Sequence, residues 1–212
     1  MLLIGMFDSP FVRRVAISMK LLGVPFEHGN WSVGKDFDRI RNYNPLGRVP
    51  TLVTAQGESL MESGAILDYL DELAGADRAL LPRAGAERRQ ALNIMAMATG
   101  AAEKGLAQVY ERVFRPEDKR HQPWLDRCRT QMNGSLAAID RCLGERGASQ
   151  WLVGRRMTQA DITAVCAFTF LDDALRVAAD SVMFQSLATF ASRCEALPAF
   201  QETRVPFVVP NG

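Results

Sequence analysis

The sequence predicts an α/β first half followed by an all-α second half. Before residue 75, short apolar runs alternate with stretches of helical period, in the order β-α-β, a connection, then β-β-α. Beyond a linker segment near Leu80, punctuated by Gly75, Pro82 and Gly85, only helical periods remain. The expected boundaries are 1–76 for the α/β domain, 77–85 for a linker and 86–212 for a helical bundle.

The apolar run Leu2–Phe7 reads as a buried strand, ended by Asp8-Ser9-Pro10. From Pro10 the period becomes helical. Val12, Val15, Ala16, Met19 and Leu22 share one face, while Arg13, Arg14 and Lys20 lie away from it. Ser9 is a preferred N-cap, Pro10 suits the first helical position, and Gly23 stops the helix. A second strand is expected over Pro25–Trp31 and a short helix over Asp36–Arg41. The turn-rich segment Asn44–Pro50 feeds a strand at Thr51–Thr54. Gln56-Gly57-Glu58 then turns into Ser59–Met61. Ser63 is expected to cap a helix whose inner face carries Ile66, Leu67, Leu70 and Leu73.

In the second half, helices are expected over Ala86–Phe114, Asp118–Leu143, Thr158–Val177 and Val182–Leu197. The helix after Thr158 is apolar on nearly every side, as the centre of a bundle requires. Its start, Thr158-Gln159-Ala160-Asp161, has the form of a capping box with Asp in the acidic place.

Composition removes several function classes. A formal charge of +1 offers no overall basic field for nucleic acid or an anionic membrane. The longest apolar stretch, Ile162–Leu171, is about half of the ~20 residues that a membrane span needs. The Met1–Phe7 run has no basic segment before it and does not read as a signal peptide. Cys128, Cys142, Cys166 and Cys194 are widely spaced, which favours reduced thiols and a cytoplasmic location. No G-x-G, P-loop, H-E-x-x-H or G-x-S-x-G motif occurs. With only His28 and His121, a His/Cys zinc site is not expected, and no metal is assigned.

Three patches carry the chemistry: Phe7-Asp8-Ser9-Pro10-Phe11-Val12-Arg13-Arg14, Asn44–Pro50, and Met61-Glu62-Ser63-Gly64-Ala65-Ile66. With these in order, the chain resembles the glutathione transferases, in particular bacterial serine-type members of theta- or zeta-like character. The resemblance covers nearly the whole chain, including the Leu80-Leu81-Pro82 linker. It implies a thioredoxin-like first domain and an all-α helical-bundle second domain. Glutathione is the implied co-substrate, a small hydrophobic electrophile its partner in detoxification chemistry, and a homodimer the assembly.

Residue by residue, the resemblance makes Ser9 the hydrogen-bond donor to the glutathione sulfur. Taken alone, Ser9 reads equally well as a plain N-cap. Val49-Pro50 falls where the family has a cis-proline, whose backbone neighbours meet the cysteinyl residue. Glu62 is implied to hold the γ-glutamyl amine, and Ser63 with the helix N–H groups its carboxylate. Arg48, and less directly Lys35, are candidates for the glycyl carboxylate. Phe11, Tyr110 and Phe114 are candidates for the second-substrate pocket, although aromatics at helical spacing often serve the core. Glu103 could reach a partner subunit or simply face solvent. The tail Val205–Pro210 could cover the cleft or pack loosely. The same thiolate would also serve a glutathione-dependent isomerase, dehalogenase, lyase or peroxidase, and the fold can act as a non-catalytic binding module. All four cysteines lie outside the first domain, so disulfide exchange through a protein thiol is disfavoured.

Overall fold

A computed structural model describes residues 1–147, 150–179 and 183–208. The first half contains β1 (Leu2–Ile4), α1 (Pro10–Leu22), β2 (Glu27–Gly29), α2 (Phe37–Arg41), β3 (Thr51–Val53), β4 (Ser59–Met61) and α3 (Ser63–Ala74). The second contains α4 (Gly85–Val113), a 3-10 turn (Glu117–Lys119), α5 (Gln122–Arg146), α6 (Gln159–Leu175), α7 (Gln185–Glu195) and α8 (Pro198–Gln201).

The four strands form one mixed sheet in the order β2-β1-β3-β4. Helix α1 connects β1 to the parallel strand β2, with Leu3 opposite His28. β3 runs antiparallel to β1 with Leu52 opposite Leu3, and β4 completes a hairpin with β3. Leu3, Val12, Val15, Met19, Leu52, Ile66, Leu67 and Leu70 form the core between sheet and helices. This is the thioredoxin-like arrangement that the resemblance implies, followed by a helical second domain.

The strands are shorter than the apolar runs. Gly5 leaves the sheet with a φ of +128°, so β1 stops at Ile4 rather than continuing to Phe7. Helix α5 starts at Gln122 rather than Asp118 because Pro123 is tolerated only in a first turn. Val182, the expected start of the α7 helix, lies outside the described residues.

Helix α6 occupies the centre of the second domain, with Gln159 to Phe168 buried without interruption. Thr158 caps it. Its hydroxyl accepts from the Ala160 N–H at 3.2 Å, and the Asp161 carboxylate accepts from the Thr158 N–H at 2.7 Å. Gly105 lets α4 approach closely, since a Cβ there would fall 2.0 Å from Leu171 Cδ2.

Helix α1 is covered on more than its apolar face. The face carrying Arg13 and Arg14 is not solvated: the two residues are only 3% and 5% exposed. Helix α1 lies between the sheet and the second domain, so both of its faces are covered, and Ile17 belongs to the core of the second domain.

Candidate functional site

The site begins where β1 gives way to α1. After Ile4, the Gly5 N–H donates to the Gly29 carbonyl at 2.9 Å, and the His28 Nε2–H donates to the Gly5 carbonyl at 2.7 Å. His28 also stacks on Phe7, with ring centroids 3.8 Å apart and planes within 4°. The turn is thereby pinned from β2 before the chain enters the helix. A Cβ on Gly5 would lie 2.6 Å from Val12 Cγ2 and 2.7 Å from Val49 Cβ. The first turn of α1 and the Val49 segment therefore meet across a residue that has room only for hydrogen.

Ser9 is the N-cap of α1, in extended conformation, and its Oγ accepts from the Val12 N–H at 3.5 Å. That bond is at the outer limit of useful length. Among the described residues nothing accepts the Ser9 hydroxyl proton, so the group can donate toward solvent. Beside it, burial raises the Asp8 carboxyl above the ordinary carboxylate range, with the Ser9 N–H pulling the other way.

The Val49–Pro50 bond is cis, as the sequence reading expects. The preceding turn is built by buried Asn44. Its Nδ2 donates to the Arg48 carbonyl at 3.0 Å and to Thr51 Oγ1 at 3.1 Å, and its Oδ1 accepts from the Leu46 N–H at 3.0 Å. Sequence reasoning saw a turn here but not the residue that holds it. Asn before Pro was the available signal, since Asn bonds readily to backbone two residues on.

At the third patch the capping expectation is corrected. Ser63 is the first residue of α3, and Glu62 occupies the cap position with φ 69° and no side-chain capping bond. The Ser63 hydroxyl is engaged instead by Arg14, whose Nη2 donates to it at 2.6 Å. Glu62 points outward, its side chain 62% exposed, with Oε1 3.6 Å from Arg48 Nη1. An exposed pair of this kind is weakly held, so either partner can be claimed by a ligand.

Tyr110 and Phe114, near the end of α4, meet edge to face at 5.1 Å. Burial raises the Tyr110 hydroxyl, with the Arg48 charge lowering it and the Asp8 charge raising it. Tyr110 thus feels the charges of Arg48 in the second patch and Asp8 in the first. Phe114 is 71% exposed, whereas Phe11 is half-buried against the core of the second domain. Lys35 and Glu103 are exposed. Clefts of about 330 Å³ at the end of α3 and about 300 Å³ between α4 and α5 lie away from Ser9.

The described part of the tail is anchored to α6. Arg204 grips the Asp173 carboxylate at 2.8 and 2.7 Å, and Phe207 sets its ring against Phe170 at 5.0 Å. Residues 209–210 of the expected tail lie outside the described residues.

The four cysteines are free, and burial pushes the Cys166 and Cys194 thiols up to about 12. Neither is a thiolate at neutral pH. Among the described residues no group of His, Cys, Asp and Glu is placed to hold a metal ion, and no helix is long and apolar enough to cross a membrane.

Comparisons with known proteins agree with this arrangement. The family model "Glutathione S-transferase, N-terminal domain" matches residues 3–78, and "Glutathione S-transferase, C-terminal domain" matches residues 104–198. The GST-like protein YibF of Escherichia coli (strain K12), itself uncharacterized, is 33% identical over 172 residues, 81% of this chain and 82% of that protein. A glutathione S-transferase of Methylobacterium radiotolerans, crystallised with glutathione sulfonate, superposes with a TM-score of 0.89 at 32% identity. The match covers 100% of this chain and 97% of that one. A glutathione transferase family member of Pseudomonas fluorescens Pf-5 with bound glutathione gives 0.85 at 27% identity, over 97% of this chain and 99% of that one. Two family models in order, and full-length similarity in sequence and fold, show that the chain belongs to the glutathione S-transferase family.

Proposed function

We propose that the protein is a serine-type glutathione transferase in which Ser9 stabilises the thiolate of bound glutathione for attack on a small hydrophobic electrophile. The observation that carries this reading is the Ser9 hydroxyl at the start of α1. Its proton has no acceptor among the described residues, and it stands on the turn that abuts the cis Val49–Pro50 segment.

A free thiol with pKa near 8.5 is roughly 3% ionised at pH 7. A hydrogen bond to a charged group contributes about 1.5–3 kcal/mol and a helix N-terminus about 0.3–1 kcal/mol. Together, roughly 2–4 kcal/mol lowers the thiol by about 1.5–3 pKa units. The thiolate then becomes the major species and its proton passes to solvent. The sulfur lone pair forms a bond to the electrophilic carbon, and the leaving group departs with the electrons of the bond it breaks.

The rest of the site would orient the tripeptide. The Val49 N–H and C=O pair with its cysteinyl backbone in the manner of an added strand, with Pro50 fixing their direction. The Glu62 carboxylate takes the γ-glutamyl ammonium, while Ser63 and the α3 N–H groups take its carboxylate. Arg48, facing Glu62 across 3.6 Å, is the nearer candidate for the glycyl carboxylate and exposed Lys35 the remoter one. Phe11, Tyr110 and Phe114 would border the electrophile. Glutathione sulfonate bound to one full-length neighbour and glutathione bound to another support this reading. A homodimer is proposed with it, and the four free thiols fit a reducing cytoplasm.

The test is conjugation of glutathione to an activated aryl halide, with the thiolate followed by its ultraviolet absorbance. Ser9→Ala should lower kcat/KM by about 10–150-fold, the loss of one hydrogen bond to a charged group, and raise the pKa of the bound thiol. A wild-type protein that neither binds glutathione nor conjugates it would overturn the proposal. A panel of peroxides and halogenated or isomerisable substrates separates the transferase from other uses of the same thiolate.

A further inference from the structure

Arg14 is a buried cation without a counter-ion. Its residue is 5% exposed, and its guanidinium lies under the start of α3. Nη2 donates to Ser63 Oγ at 2.6 Å, and Nη1 donates to Thr163 Oγ1 of α6 at 3.2 Å. The buried Nε has no partner. Among the described residues no carboxylate stands within ion-pair distance of Arg14, whereas neighbouring Arg13 holds Glu195 at 2.5 Å. Burying an unpaired charge is costly, so such a group calls for a compensating anion.

The hydroxyl of Ser63 resolves what that anion must meet. A guanidinium carries only donors. Ser63 Oγ must therefore accept from Arg14, and its single proton has to point elsewhere. Ser63 is itself only 2% exposed, and its proton is left for an acceptor placed at the first turn of α3, where the backbone N–H groups also lack intrahelical partners.

We infer that Arg14 is a positioning residue that makes the α3 N-terminus specific for a carboxylate. It fixes Ser63 as a donor at the helix start and supplies positive charge behind it. The inference rests on the glutathione reading above and names the group concerned: the free α-carboxylate of the γ-glutamyl residue. Burial lowers Arg14 to about 10, with Cys166 and Glu62 pulling the other way, so the guanidinium remains charged at neutral pH. A helix terminus alone would favour any anion or polar carbonyl. With a fixed cation below the donor, a neutral group at that position loses far more than a carboxylate does.

The test compares two ligands by calorimetry: S-methylglutathione, and its analogue built on γ-aminobutyrate, which lacks only the α-carboxylate. Wild type should prefer S-methylglutathione by roughly 30-fold or more, as a charge-assisted contact requires. Arg14→Gln should weaken S-methylglutathione by roughly 10-fold while leaving the analogue nearly unchanged, so that the preference collapses. Arg14→Lys keeps the charge but cannot fork to both hydroxyls, and should restore part of the preference. If Arg14→Gln fails to fold by circular dichroism, Arg14→Lys decides the matter, and a wild-type preference in that variant overturns the inference. Equal weakening of both ligands, or no change in either, also overturns it and leaves the glutathione reading standing. Wild type that binds neither ligand removes the glutathione reading itself.

Discussion

Gly5 controls the site through the side chain it lacks. Its φ of +128° is a conformation that L side chains rarely adopt, and its missing Cβ is the contact surface between Val12 and Val49. Gly5→Ala must change the backbone or push the Val49 segment away from α1. Backbone strain of about 1–3 kcal/mol and overpacking of similar size combine to roughly 2–6 kcal/mol. At about 2–4 °C per kcal/mol for a chain of this length, Tm should fall by roughly 4–24 °C, and glutathione should bind more weakly. Scanning calorimetry with and without glutathione measures both effects, and an unchanged Tm would show that the close approach is not felt. At this scale the sequence exposes residues whose work is local. Ser9 before Pro10 and the Asn-Pro turn announce themselves within a few positions. Arg14 does not, because its acceptors lie 49 and 149 residues away in the chain and it stands off the helix's apolar stripe.

The elements were legible where periodicity is long and obscured where it is short. Helix α6 shows the first case: an apolar cylinder with a capping box, found where the pattern places it. The expected Asp36–Arg41 and Pro25–Trp31 segments show the second, shrinking to Phe37–Arg41 and Glu27–Gly29 because a few residues cannot define their own ends. The cap of α6 also joins that helix to the loop before it. Asp161, fully buried, accepts from the Leu152 N–H at 2.7 Å, the Thr158 N–H at 2.7 Å and the Thr158 hydroxyl at 2.8 Å. Asp161→Ala leaves two buried backbone donors unsatisfied, at about 1–3 kcal/mol each. Urea denaturation should record a loss of roughly 2–6 kcal/mol, and a loss below 1 kcal/mol would mean that water replaces the carboxylate. Burial also raises the Asp161 carboxyl, against the pull of its hydrogen bonds. The folded protein thus holds this proton more tightly than the unfolded chain. The proton-linked part of the stability that Asp161 contributes is fully present below the ordinary value of about 3.9 and is lost as pH rises through the raised folded value, while its hydrogen bonds persist. The penalty of Asp161→Asn should accordingly shrink from acid toward neutral pH.

For the whole molecule, the decisive element is α1, because it belongs to both cores. Its apolar face packs under the sheet, and its opposite face is held by the second domain. The Arg13 guanidinium grips Glu195 at 2.7 and 2.5 Å and also donates to the Thr203 and Phe200 carbonyls. Ser18 reaches Gln159 at 3.2 Å, and the Leu80 carbonyl accepts from the Gln159 N–H at 3.0 Å. The order of the two halves could be read from where strand signals stop, but this coupling could not, since it depends on partners far apart in the chain. Its consequence is that the helix carrying Ser9 is positioned from the second domain as well as the first. Arg13→Ala removes the buried Arg13 bonds from α1 to Glu195, Phe200 and Thr203, keeps the more exposed Lys20–Glu202 pair, and leaves Glu195, among the described residues, with only the Thr169 hydroxyl, at 2.8 Å. Breaking a largely buried pair in this way costs about 3–5 kcal/mol, or roughly 6–20 °C in Tm. The loss falls on the joint rather than on either core, so it should also divide the unfolding. Trp31 reports on the first half, and Trp124 and Trp151 report on the second. In wild type, fluorescence and far-ultraviolet circular dichroism should trace one urea transition, as a shared helix demands. In Arg13→Ala the two signals should separate, with glutathione affinity lost in the earlier step. Coincident transitions at an unshifted midpoint would show instead that α1 is held by its apolar face alone.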